Sequence, residues 1–354
     1  MSSKKPDLIA LSASRIKTLT SCSWLYHCNY ILRLPDEGND GARRGTVTHN
    51  VLEFLLKKEN REHYDIIMEA KDPFASDVVK KLTIEEAETI GVDDEDNMAL
   101  IKDFIMVGLH TDFFCEANGL YGEPDLLPPE KKFDLTKEDE EEGKKYKILG
   151  FIDKICLYPE TKTVRIVDYK TSKQKFSGEE KGIAKRNLRG FNIQALVYSL
   201  AAFTLFPEYE RVICEFQFLK FPKDPCMLYE YSRKELAGFE TYLTHVNEHV
   251  CNFSYKHATH NFAVDNSKNF WLCGKFKEEL NCFGEPAFIC RYKYAFDYYA
   301  AEDKNGVNRR CVFEDDEEGI EKLKEYAKEN DLTFKKKIYG GCPKFRNKLK
   351  GQKR

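Results

Sequence analysis

The sequence predicts an α/β protein in which helices pack against a sheet, and three stretches carry that expectation. Residues 147–170, KILGFIDKICLYPETKTVRIVDYK, are two β-rich runs flanking the turn-like cluster Pro159-Glu160-Thr161-Lys162, which together form a hairpin. Residues 210–220, ERVICEFQFLK, alternate as a further strand of the same sheet, with Leu228–Tyr231 as its pairing partner. Between them, LRGFNIQALVYSLAAFTLF is a nearly all-apolar helix stopped by Pro207.

The remaining elements follow in chain order. LIALSASRIKTLTSCSWLYHCNYILRL opens with Ser12 and Ser14 as helix N-cap candidates and ends before Pro35. Residues 36–45 read as a loop, after which Gly45-Thr46 starts a helix with His49 and Glu53 on one face. By itself a histidine on a half-buried helix is more often structural than a ligand. Residues 60–120 are further helices, and 123–142, EPDLLPPEKKFDLTKEDEEE, read as an exposed acidic loop or linker. Lys234–Cys251 is an amphipathic helix, residues 269–299 are aromatic-rich, and an acidic helix at 315–330 precedes a basic tail.

At 354 residues, 42% hydrophobic and 13% aromatic, the chain can bury a sizeable core as one large or two medium domains. The start MSSKKPDLIALSASRIK lacks a signal peptide's apolar core, and no run approaches bilayer-spanning length. A cytoplasmic protein is expected, or a nuclear one in a eukaryotic host. Twelve scattered cysteines suit a reducing compartment, as core thiols or metal ligands.

The formal charge of −3 conceals segregation. Residues 335–354 carry nine Lys or Arg and no acid, and residues 170–189 carry seven basic residues against Glu179 and Glu180. Such blocks suit a polyanion such as nucleic acid, although a charge run is more often a solvated face.

The hairpin carries the chemistry. If Tyr158 pairs with Thr163, Asp153 falls opposite Asp168, and period-2 alternation puts Lys170 on the Asp168 face. Phe151, Ile155, Val164 and Ile166 share these faces, so two carboxylates and an ammonium sit among apolar side chains. Buried carboxylates require compensation, either from a structural Lys170 salt bridge or from a divalent metal between carboxylates with Cβ atoms about 5 Å apart. On the following helix Gln194 and Tyr198 are four apart and project to one place.

The order His49, Gly150-Phe151-Ile152-Asp153, Val167-Asp168-Tyr169-Lys170-Thr171 and Gln194-Ala195-Leu196-Val197-Tyr198 resembles the RecB-like branch of the PD-(D/E)XK nucleases, which includes CRISPR-associated and phage exonucleases. Leu11-Ser12-Ala13-Ser14, with Cys22 and Tyr26, is similar to the start of those domains. The resemblance implies an α/β core with a central mixed sheet flanked by helices. It places a nuclease domain at residues 1–300, with a helical insertion at about 60–120 and an acidic loop at about 123–145, before a C-terminal extension at 301–354.

It further implies His49, Asp153, Asp168 and the Tyr169 carbonyl as metal ligands, Lys170 as the group orienting the attacking water, and Gln194 and Tyr198 as positioning residues. Mg²⁺, or Mn²⁺ given an imidazole ligand, suits that set. Lys173, Lys175, Lys185, Arg186 and Arg189 would steer DNA by sequence-independent phosphate contacts. Many RecB-like nucleases hold an iron-sulfur cluster; Cys22, Cys273, Cys282 and Cys290 are the corresponding set, but their spacing lacks a CxxC and buried free thiols are the better expectation. The function implied is a DNA exonuclease in recombination, repair or replication, working with a helicase, recombinase or single-strand-binding partner. The alternatives are a structure-specific endonuclease and a non-catalytic nucleic-acid-binding subunit.

Overall fold

A computed structural model of the protein describes residues 8–36, 38–116, 121–172, 192–274 and 290–345. The chain divides into two compact units, one comprising residues 1–13 and 38–251 and the other residues 14–37 and 252–354. Strand β1 (Ala10–Leu11) belongs to the first. Helices α1 (Ala13–Ser21) and α2 (Ser23–Tyr26), the latter running on as a π-helix through Ile31, open the second.

Helix α3 (Asp40–Leu56) begins five residues before Gly45, inside the segment expected to be a loop. The Asn39 side chain accepts the Ala42 N–H and caps the helix, which offsets the low helix propensity of Gly41 and Gly45. Helices α4 (Arg61–Ala70), α5 (Asp77–Ile90) and α6 (Glu95–Leu109) follow, with Ser76 and Asp94 capping the last two. Val47, Val51, Leu52 and Leu55 of α3 join Ile101 and Ile105 of α6 in a core that also takes in Val167 and Tyr169. Fully burying each such aliphatic side chain contributes about 1.5–3 kcal/mol, so α3 is fixed firmly over the sheet.

The strands are β2 (Asp125–Leu126), β3 (Lys131–Glu138), β4 (Lys145–Ile152), β5 (Lys154–Tyr158) and β6 (Thr163–Lys170). Helix α7 (Ile193–Leu205) leads to β7 (Arg211–Phe218), β8 (Cys226–Glu230) and α8 (Arg233–Cys251). A five-stranded mixed sheet runs β2-β5-β6-β7-β8, with β6 and β7 parallel and the other pairs antiparallel. A three-stranded sheet runs β1-β4-β3. The fold is the mixed α/β architecture expected.

The hairpin register is the expected one, with Tyr158 opposite Thr163 and Lys154 opposite Val167. Its first arm is not one strand, however. The chain bends at Asp153, so β4 and β5 lie in different sheets. The acidic loop is also corrected, because it contains β2 and β3. Strand β3 buries Phe133 and otherwise exposes much of its charge, the form of an edge strand that resists pairing with a second chain.

In the second unit a short helix α9 (Tyr255–Ala258) precedes β9 (Phe296–Glu302), β10 (Asn308–Phe313), α10 (Glu317–Glu329) and β11 (Thr333–Tyr339), whose strands form a sheet in the order β10-β9-β11. The start of the supposed basic tail is therefore a strand. Lys335 pairs with Glu302 at 2.9 Å, Lys337 also pairs with Glu302, and Lys336 lies 3.4 Å from Asp297. Residues 346–354 lie outside the described residues. Among the described residues no helix is long and apolar enough to cross a membrane.

Candidate active site

The bend at Asp153 turns its carboxylate toward the end of β6. There Oδ2 accepts the Tyr169 backbone N–H at 2.8 Å and lies 3.4 Å from His49 Nδ1 on α3. The Asp153 carbonyl accepts the Glu130 N–H at 3.1 Å, which ties the bend to the start of β3. Tyr169 is packed in the α3–α6 core, and its ring meets the His49 imidazole edge-on at 6.0 Å. His49 and Asp153 are therefore held by packing on one side and by backbone on the other.

Asp168 is 3% exposed on the central strand. Its Oδ1 takes a hydrogen bond from Gln194 Nε2 at 2.7 Å and lies 2.9 Å from Tyr198 Oη. Gln194 also donates to Tyr198 Oη at 2.7 Å, and that hydroxyl is 2.9 Å from the Phe151 carbonyl. The single hydroxyl proton serves either Asp168 or Phe151, not both. Asp168 Oδ2 is buried and forms an ion pair with Lys170 Nζ at 2.5 Å. Helix α7 presents Gln194 and Tyr198 together because Asn192 caps it, accepting from the N–H groups of Gln194 and Ala195.

Gly150 supports this arrangement from β4. It lies opposite Phe133, where an added Cβ would be 2.5 Å from the ring. The space it leaves lets Phe133 meet the Tyr198 ring edge-on at 6.3 Å.

The electrostatics divide the two acids. Burial and the neighbouring Asp153 charge push the Asp168 carboxyl above its usual range, and Lys170 offsets them only in part. Burial also pushes Asp153 upward, but the His49 charge and hydrogen bond, the Tyr169 N–H and Lys170 together hold it below the usual range. His49 shows the reciprocal effect: burial lowers its pKa, and Asp153 and Asp168 more than reverse this.

The structure thus brings His49, Asp153, Asp168, Tyr169, Lys170, Gln194 and Tyr198 together. Among the described residues no group of three or more His, Cys, Asp or Glu side chains is disposed as a ready-made metal cage. Two carboxylates nevertheless fit Mg²⁺, which keeps several waters and needs only one or two carboxylates besides the substrate phosphate. Asp168 Oδ2, which faces the Lys170 ammonium while Gln194 and Tyr198 hold Oδ1, is the oxygen on this strand left for a metal cation. Lys173, Lys175, Lys185, Arg186 and Arg189 lie outside the described residues. A cavity of about 680 Å³ opens beside His49 and Lys170, and it is lined also by Arg44, Glu130 and Lys220, which sequence patterns did not single out. Arg44 fell in the segment expected to be a loop, so its helical distance from His49 gave no signal.

Three of the four cysteines of the expected set come together in the second unit. Cys22, Cys273 and Cys290 line one apolar pocket of the second unit with Cys342, while Cys282 lies outside the described residues. Burial raises the Cys273, Cys290 and Cys342 thiols, Cys290 to about 11 and Cys342 to about 12, so the last two are protonated at neutral pH.

Residues 10–275 match the family model of the PD-(D/E)XK nuclease superfamily, and the chain belongs to that superfamily. Among curated proteins, none matches the chain at a significant level. The match spans the site, with His49, Asp153, Asp168 and Lys170 all inside it.

Proposed function

We propose that the protein is a divalent-metal-dependent deoxyribonuclease that degrades DNA from its ends. The observation that carries this is the convergence of Asp153, Asp168 and Lys170 at the end of β6, with Gln194 and Tyr198 gripping one Asp168 oxygen and leaving the other beside the lysine. The exonuclease form is supported by the RecB-like order of the motifs, with His49 ahead of the hairpin and the Gln-Tyr helix behind it.

Asp153 and Asp168 would hold the cation, Mg²⁺ or Mn²⁺, with His49 and the Tyr169 carbonyl beside them. Such an ion, when bound, supplies charge stabilisation at phosphorus and lowers the pKa of water. The protein's own groups do the rest. Lys170 holds the attacking water in line and offsets charge on the phosphate. Gln194 and Tyr198 keep the Asp168 carboxylate in one orientation. His49 and the Tyr169 N–H do the same for Asp153. Sequence preference is expected to be weak, because contacts to phosphates carry no base information.

The test is cleavage of end-labelled linear DNA, single- and double-stranded, beside closed circular DNA, with Mg²⁺, Mn²⁺ or EDTA. Metal-dependent loss of linear DNA with intact circles is the expected result. Cutting of circles would replace the exonuclease reading with an endonuclease. DNA binding without cleavage under any metal would leave a binding subunit.

A further inference from the structure

We propose that Arg44, with Lys220, forms a seat for a phosphate group of the nucleic-acid strand beside the cleavage position. This rests on the nuclease reading of the same cavity, whose wall combines Arg44 and Lys220 with Lys170 and the hydroxyls of Thr171 and Ser172.

Arg44 is distinguished by how its charge is held. Its Nη1 donates to the Asn97 side-chain carbonyl, and Asn97 is fixed in turn by Asp94, which accepts its backbone N–H at 3.0 Å. A neutral amide anchors the guanidinium without neutralising it. The Nε–H is buried with no acceptor among the described residues. A buried donor left unmet is costly, and a phosphate oxygen is the acceptor that matches both the charge and the planar fork of arginine.

Two glycines shape the start of α3. At Gly41 an added Cβ would come within 2.9 Å of Asn39 Oδ1, so glycine preserves the cap that starts the helix carrying Arg44. At Gly45 a Cβ would come within 2.8 Å of Thr171 Oγ1, so glycine lets α3 lie close to the chain leaving β6. Arg44 and His49 share one rigid helix, five residues or about 7.5 Å apart along its axis. The seat is therefore adjacent to the catalytic carboxylates and distinct from them.

Binding is measured apart from cleavage, by fluorescence anisotropy in EDTA. The probes are short single-stranded DNAs ending in hydroxyls, a 5′-phosphate or a 3′-phosphate. The full chain is compared with Arg44→Gln, Arg44→Lys and Lys220→Gln, each checked by thermal melting. Arg44→Gln should weaken binding about tenfold and make the salt dependence shallower by about 0.7 in log–log slope, one phosphate contact on a single strand. Arg44→Lys should recover part of both, and Lys220→Gln should show a smaller loss of the same kind. Equal loss on all three probes assigns an internal phosphodiester, and loss confined to one phosphorylated end assigns that end. Unchanged affinity at every salt concentration, or a loss without a change in slope, overturns the seat. If Arg44→Gln fails to fold, the other two variants decide on the same criteria. Arg44-dependent binding by a wild type that never cleaves would remove the nuclease reading and keep the seat, and normal cleavage with Arg44-independent binding would do the reverse.

Discussion

Strand β6 carries buried charge on both faces, and the two clusters differ in how completely they are satisfied. On one face Arg165 donates to Glu215 Oε2 through Nε at 3.0 Å and Nη2 at 2.8 Å, and to Asp112 through Nη1 at 2.7 Å. Gln217 Nε2 and Cys226 Sγ meet the other Glu215 oxygen, and the fully buried Lys154 donates to the Phe113 carbonyl at 2.9 Å. On the other face Asp168 Oδ2 faces the Lys170 ammonium, and burial still pushes its carboxyl upward. Burial of charge is common to both faces, so burial alone does not mark function. The arrangement separates them: the first cluster bonds both Glu215 oxygens and ties β6 to β7, whereas the second leaves a raised carboxyl beside Lys170, as the proposed metal site requires.

This contrast can be broken by experiment. The largest effect is expected from Asp168→Asn or Lys170→Ala, each lowering the cleavage rate by about 10³-fold or more, about 4 kcal/mol of barrier. Because the Asp168 carboxyl is raised in the folded protein, its ionised form opposes folding at neutral pH. Asp168→Asn should therefore leave the melting temperature unchanged or higher. Glu215→Gln should behave oppositely, losing about 3–5 kcal/mol of stability while the molecules that remain folded keep their activity.

Acid titration sharpens the same point. Burial would raise the Glu215 carboxyl, but Arg165, Gln217 and Lys154 hold it below the usual range. A depressed carboxyl contributes stability above the unfolded pKa of about 4.3, and that stability is lost as pH falls through the folded value. Wild-type melting temperature should drop in that acid window, and Glu215→Gln should lose this part of the pH dependence. A variant as acid-sensitive as the wild type would show that the Arg165 cluster does not carry the effect.

Smaller effects test the supports of the reactive face. Gly150→Val would force Phe133 from its place against Tyr198 and should cost about 1–3 kcal/mol, read by denaturant unfolding. Tyr198→Phe removes one hydroxyl near Asp168 while Gln194 keeps its bond, and should slow cleavage about fivefold, about 1 kcal/mol. A wild-type rate for Tyr198→Phe would assign the orientation of Asp168 to Gln194 alone.

Much of the geometry around Asp168 was legible in the sequence, because short-range spacing fixes it. The turn between Tyr158 and Thr163 sets the register that brings Asp153 to Asp168, and helical spacing puts Gln194 and Tyr198 together. The bend at Asp153 was not legible, since neither Pro nor Gly marks it and the apolar pattern runs on into β5. Strand β3 was hidden by its charges, with Phe133 as its one fully buried side chain. Arg44, the satisfied Arg165 cluster and the meeting of Cys342 with Cys22 depend on contacts between distant segments, which no local pattern encodes.

The most direct measurement compares Asp168→Asn and Glu215→Gln side by side, recording the Mg²⁺-dependent cleavage rate of linear DNA and the thermal midpoint from the same preparation. A stable, inactive protein is expected for the first and a destabilised, active one for the second. A destabilised Asp168→Asn, or one that still cleaves at the wild-type rate, would contradict the assignment of the catalytic site to the end of β6.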